Sequence, residues 1–254
     1  MFYDVTTLYF EAKDADDFRK MGFSKDGKHS QPQIVLGLLV SEAGYPLDYD
    51  LFEGDKYEGD TLIPIIEHFV TKHKPGQLIV VADAGLLSNK NIEALISKGY
   101  QYILGARIKN ESEPITKQIL GANLKDGASI IIERDDGSKL ILSYKNSRAL
   151  NDKKNRKKGL ESLEKKVKTG KLSKRNINNK GYNKYLKIEG EATISIDYDK
   201  YKEDDIWDGL KGYRTNTTLS KEEVIKQYHQ LWAIEKTFRI SKTDIEIRPI
   251  AGQN

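Results

Sequence analysis

Leu78-Ile79-Val80-Val81-Ala82-Asp83 is the stretch on which the fold turns. An unbroken apolar run bounded by Gly76 and Gly85 is the pattern of a strand buried on both faces, as in parallel-type sheets. Asp83 ends that run, and the carboxyl ends of strands are where open α/β sheets place their chemistry. Two further acids stand where acids are disfavoured. Asp4 lies inside the first strand, on one face with Phe2, Thr6 and Leu8. Glu235 falls on the stripe Val224, Tyr228, Leu231, Glu235, Phe238, Lys242 of the last long helix. Each acid has an ordinary alternative: a frayed strand end for Asp4, an Asx turn or helix cap for Asp83, and the water-facing edge of the stripe for Glu235.

Outward from Asp83 the elements alternate. Strands are predicted at 2–10, 33–40 and 46–52, the last two joined by Glu42-Ala43-Gly44-Tyr45. A helix over 60–74 precedes the buried strand at 77–82. Ser88 caps a second helix that ends before Gly99, and a fifth strand covers 100–105. This order predicts an α/β core with a mixed five-stranded sheet and flanking helices, in residues 1–109 and 206–254. Residues 110–205 read as a β-rich insertion. It has a hairpin, 129–133 and 139–144, around Asp135-Asp136-Gly137-Ser138, a basic helix over 147–168, a polar loop to 184, and strands near 185–188 and 192–198. A last strand is expected at 210–215. Ser220 and Glu223 then form a capping box, with Leu219 and Val224 as its staple, opening one helix to Lys242.

Composition narrows the chemistry. The 254 residues contain no cysteine and only 4 histidines, so disulfides and thiolate zinc sites are excluded. Oxygen ligands remain, and they suit Mg²⁺ or Mn²⁺. No apolar stretch reaches the length of a membrane span, and a cytoplasmic setting is expected. Between Arg148 and Lys184 there are 14 Lys/Arg against 3 Asp/Glu, a local charge of +11 in a chain of net charge +4. A segment so basic on an acidic remainder reads as a handle for a polyanion, the alternative being a solvated charged helix and loop; Lys153, Lys154, Arg156, Lys157 and Lys158 are its densest cluster. Trp207 and Trp232 are assigned to core packing ahead of stacking on a base.

Three carboxylates from separate elements suit in-line phosphoryl transfer, in which two divalent ions about 3.5–4 Å apart clamp the attacking and leaving oxygens. The gaps of 79 and 152 residues between Asp4, Asp83 and Glu235 are no obstacle if the fold brings them together.

The stretches Tyr3-Asp4-Val5-Thr6-Thr7-Leu8-Tyr9-Phe10-Glu11, Val80-Val81-Ala82-Asp83-Ala84-Gly85 and Tyr228-His229-Gln230-Leu231-Trp232-Ala233-Ile234-Glu235-Lys236-Thr237-Phe238-Arg239 resemble the three catalytic blocks of bacterial DDE transposases of the insertion-sequence-four type. The resemblance implies an RNase H-like fold, DNA strand cleavage and strand transfer at insertion-sequence ends, and Asp4, Asp83 and Glu235 as ligands of two Mg²⁺ (or Mn²⁺). Of the family's Tyr-x₂-Arg-x₃-Glu-x₆-Lys signature, Tyr228, Glu235 and Lys242 are in register, while Leu231 stands at the arginine position. The resemblance implies that the arginine's phosphate contact is either lost or supplied by Arg239 or Lys236. Tyr228, Arg239 and Lys242 are expected at DNA phosphates, with the basic insertion on transposon-end DNA. The implied partners are end and target DNA and a second copy in a synaptic complex, and the implied setting is the bacterial nucleoid. Family members have a DNA-binding region before the first catalytic strand and helices beyond the last; the resemblance implies a core lacking both. The alternatives are a Mg²⁺-dependent nuclease or resolvase on the same fold, and an inactive DNA-binding fragment.

Overall fold

The computed structural model of the protein describes residues 1–11, 15–23, 30–173, 176–178, 180–189 and 193–243, without the side chains of Glu189, Ala233, Ser241, Lys242 and Thr243. The chain forms two compact units, one of residues 1–107, 131–141 and 212–254, the other of 108–130 and 142–211.

The first unit is built on a mixed sheet of eight strands rather than five. In spatial order these are β3 (Pro46–Glu53), β2 (Gln33–Val40), β1 (Phe2–Tyr9), β4 (Ile79–Ala82), β5 (Gln101–Ala106), β10 (Leu210–Thr215), β7 (Lys139–Tyr144) and β6 (Ser129–Glu133). β1 pairs antiparallel with β2 and parallel with β4, and β4 pairs parallel with β5. The extra strands are the hairpin β6–β7 and β10: residues assigned by sequence to an insertion or to the chain's last strand extend the same sheet.

Alternation along β1 separates two cores. Tyr3 and Val5 point to one face, where α1 (Leu62–His73) and α2 (Asn89–Ser97) bring Leu62, Ile65, Ile66 and Leu95. Phe2 points to the other, with Val81 and Ile103, beneath α6 (Lys221–His229) and α7 (Trp232–Thr243). The caps are those expected. Ser88 accepts the Asn91 N–H at 3.1 Å, Gly99 turns the chain at φ +71°, and Ser220 and Glu223 form the capping box.

The helix expected to run unbroken to Lys242 is two. Backbone bonds of the i→i+3 kind, Gln230 N–H to Gln227 O and Leu231 N–H to Tyr228 O, each 3.1 Å, tighten the turn between α6 and α7.

The stretch 110–205 holds the expected hairpin, basic helix and two later strands, with helices at 113–121 and 198–203 in addition; because most of the hairpin belongs to the first unit, the second unit is mainly helical. It holds α3 (Glu113–Gly121), the 23-residue α4 (Asn146–Lys168) and α5 (Tyr198–Glu203), with a small sheet of β8 (Leu186–Glu189) and β9 (Thr193–Ile196). Its core packs Leu163 of α4 against Tyr185, Leu186 and Ile196. Gly159, in mid-helix, lets the Tyr182 ring lie on α4; a Cβ there would stand 2.4 Å from the ring. Asp204 accepts from Lys109 at 2.8 Å, from the Tyr185 hydroxyl at 2.5 Å, and from Lys184. Burial raises the Asp204 pKa, but these three donors outweigh it and hold the carboxyl below its usual range. A depressed carboxylate contributes stability above its unfolded pKa of about 3.9 and loses it as the pH falls toward the folded value. Acid titration of urea stability is therefore expected to be shallower below about pH 4 in Asp204→Asn than in wild type. Among the described residues no helix is long and apolar enough to cross a membrane.

Candidate active site

The register of β1 and β4 aligns the two aspartates. Tyr3 is the partner of Ala82, so Asp4 and Asp83 follow at one level on adjacent parallel strands. Two residues before each, Phe2 and Val81 lie in the core beneath α6 and α7, and alternation puts Asp4 and Asp83 toward that same side. Asp4 is half-buried and accepts the Val5 N–H at 2.8 Å. Asp83 is exposed just past the strand and accepts the Gly85 N–H at 2.8 Å, capping a short 3₁₀ turn, Ala84–Leu86. The Asx-cap alternative is thus realised without removing Asp83 from the sheet end.

Glu235 lies in the first turn of α7, which packs on β1 and β2. It is exposed, not in the middle of the buried stripe. Leu231, Ile234 and Phe238 fill the core and Glu235 sits beside them at the edge, the water-facing position open to it in the sequence. Leu231, at the family's arginine position, is 8% exposed and is a core residue.

Tyr228 links the three acids. It is buried, and its ring meets Tyr213 edge-on at 4.9 Å. Its hydroxyl lies over Gly105, where a Cβ would come within 2.4 Å of it and 2.9 Å of the Ala84 nitrogen, so β5 needs glycine there. The Tyr228 pKa is raised well above the ordinary tyrosine value, first by burial, then by Asp83, Tyr213, Glu235 and Asp4. Burial also corrects the expectation of Tyr228 as an open phosphate contact.

The donor set fits a hard divalent ion in chemistry, being three carboxylates with oxygen ligands only. Among the described residues no group of three Asp, Glu, His or Cys side chains is gathered closely enough to hold an ion. Like charges repel, and a cation is what draws such a trio to a common centre.

Arg239, Lys236 and Trp232 surround Glu235 on the open side of α7. Trp232 is 59% exposed, against its assignment to the core, with the Lys236 ammonium 5.8 Å from its ring centre. Trp207 is half-buried, 5.7 Å from the Lys109 ammonium. The Lys242 side chain lies outside the described residues. On α4, Lys153, Lys154, Lys157 and Lys158 are exposed. Arg156 is not: it is buried at 6% exposure and paired with Asp205 and Asp208, which removes it from the DNA-facing set. Its two partners, 49 and 52 residues downstream, gave no local signal.

The profile of the family described as the transposase DDE domain matches residues 2–248. The chain belongs to that family. No curated protein matches the chain. Among solved structures this DDE domain is similar to a piggyBac transposase, determined by cryo-EM as a synaptic complex with hairpin DNA. The TM-score is 0.50 at 8% identity, over 95% of this chain and 40% of that one. At that identity the likeness concerns the fold, a mixed α/β transposase domain; the chain spans 40% of the length of the protein it matches.

Proposed function

We propose that this chain is the RNase H-like catalytic domain of an insertion-sequence-four type bacterial transposase, with Asp4, Asp83 and Glu235 as its metal ligands. The observation that carries this reading is geometric: the register of β1 and β4 sets Asp4 and Asp83 at one level on adjacent parallel strands, and α7, which carries Glu235 in its first turn, packs on β1. When bound, two divalent ions activate a water or a 3′-hydroxyl and neutralise charge on the phosphorus. The protein's part is positional. Asp4 and Asp83 are held by the strand register, with the Gly85 N–H fixing the Asp83 carboxylate. Tyr228 stays neutral at working pH, so its hydroxyl offers a hydrogen bond without adding a charge. Arg239 and Lys236 take the phosphate role that Leu231 cannot, and Lys242 extends it. Lys153, Lys154, Lys157 and Lys158 track the DNA backbone. The partners are end and target DNA, in a synaptic homodimer at the nucleoid.

The deciding experiment offers the protein a supercoiled plasmid and a precut duplex with a free 3′-hydroxyl, in Mg²⁺ or Mn²⁺. Nicking and joining together are expected. Nicking without joining would favour a nuclease or resolvase, and neither, with DNA binding intact, an inactive fragment. Each phosphate neutralised contributes about −0.9 to the slope of log K against log salt on duplex DNA. Replacing the four lysines of α4 by glutamine is expected to flatten that slope by roughly 3–4; an unchanged slope would take α4 off the DNA.

A further inference from the structure

Arg107 stands just past β5, at the end of the sheet where Asp83 follows β4. β4 and β5 run parallel with Ala82 beside Leu104, so the continued register sets Asp83 beside Gly105 and Gly85 beside Arg107. Ile103 points into the core beneath α6 and α7, and Gly105 lies under the Tyr228 hydroxyl. Alternation from 103 through 105 turns position 107 to that side too, the side of Asp4 and Asp83. The Arg107 guanidinium donates to the Gly85 carbonyl at 3.4 Å, and the Gly85 N–H donates to the Asp83 carboxylate at 2.8 Å. One glycine thus ties the cation and the acid to a single turn.

Neighbouring cations of this unit are engaged: Lys90 pairs with Asp60 at 2.9 Å and Lys98 with Glu67 at 2.5 Å. Arg107 is exposed, and among the described residues no carboxylate pairs with it. A guanidinium presents its N–H donors in a planar fork that fits two oxygens of one phosphate. A long bond to one carbonyl leaves that fork largely open. Exposure and a single long bond suit a group that meets an anion from outside better than a brace for the turn. We propose that Arg107 binds a phosphate of the DNA strand at the catalytic acids, through two non-bridging oxygens. It supplies on the Asp83 side the contact that Arg239 and Lys236 supply beside Glu235. The proposal rests on the reading of Asp4, Asp83 and Glu235 as metal ligands and adds a substrate contact to it.

The probe is a precut duplex ending in a 2′,3′-dideoxynucleotide, which cannot join, in Mn²⁺. Uncharged methylphosphonates replace its terminal linkages one at a time. In wild type, one linkage near the end is expected to weaken binding about tenfold, as loss of a charged hydrogen bond does. In Arg107→Ala the same linkage is expected to cost under about twofold, with the others unchanged. Lys98→Gln, at the far end of α2 and the opposite edge of the sheet, is expected to keep the wild-type pattern. No sensitive linkage in wild type, or an unaltered pattern in Arg107→Ala, would overturn the proposal. So would a loss of Mn²⁺ affinity in Arg107→Ala without DNA, which would make Arg107 a brace for the Asp83 turn. The catalytic reading fails separately, by undiminished Mn²⁺ binding in Asp83→Asn; the linkage pattern reads Arg107 whether or not that happens.

Discussion

Asp83→Asn is expected to lower metal-dependent nicking on the order of a thousandfold or more, as the loss of a group facing transition-state charge does, while DNA binding persists. Asparagine is the informative replacement. The Asp83 carboxylate also caps the turn at Ala84–Leu86 through the Gly85 N–H, and alanine would lose that cap at a cost of about 1 kcal/mol. Asparagine keeps an acceptor oxygen for Gly85 and removes only the charge. The same variant separates ligand from bystander by calorimetry, where Mn²⁺ binding is expected to weaken together with nicking. Wild-type nicking by Asp83→Asn would sink the assignment of all three acids, since Asp4 is tied to Asp83 by register.

Local signals and distant partners explain what the sequence discloses here. The buried strand at Asp83, the strands 33–40, 129–133, 139–144 and 210–215, and the Ser220–Glu223 box all depend on neighbours a few residues away, and all are found where expected. That the two aspartates reach one level follows from the pairing of β1 with β4, which the sequence suggests only through the family blocks. The break between α6 and α7 carries no glycine or proline, so periodicity runs straight through it and predicts one helix where there are two; it leaves Glu235 open between the stripe and its water-facing edge, and the fold places it at the edge. Trp232, next to the buried Leu231 on the helix but off the stripe, is on the open side instead of in the core. In the second unit, Ser112-Glu113-Pro114 is the local start signal of α3, a short helix that the insertion's strand pattern hides. The extension of the sheet from five strands to eight has no local signal, since which edge a hairpin joins is decided by tertiary packing.

Arg156 is where composition and structure disagree most, and its replacement should have the largest effect on stability. In sequence it is one of five basic residues between Lys153 and Lys158. In the fold it turns inward. Its guanidinium pairs with Asp205 and Asp208 and lies 5.4 Å from the Tyr201 ring centre. Burial lowers the Arg156 pKa, but the hydrogen bond and charge of Asp208 and the charges of Asp205 and Tyr201 outweigh it, so the group is held charged. Arg156→Ala leaves Asp208, whose side chain is only 14% exposed, without its cation. Breaking such a pair from one side costs about 3–5 kcal/mol. Lys157→Ala, one residue on and exposed, is expected within about 0.5 kcal/mol of wild type. Urea denaturation of the two variants checks this directly. Equal stabilities, with Arg156→Ala flattening the salt dependence of DNA binding as the lysine variants do, would return Arg156 to the DNA-facing surface. The expected result divides α4 between two tasks on one helix: four lysines outward for the polyanion, and one arginine inward to hold the helix in its unit.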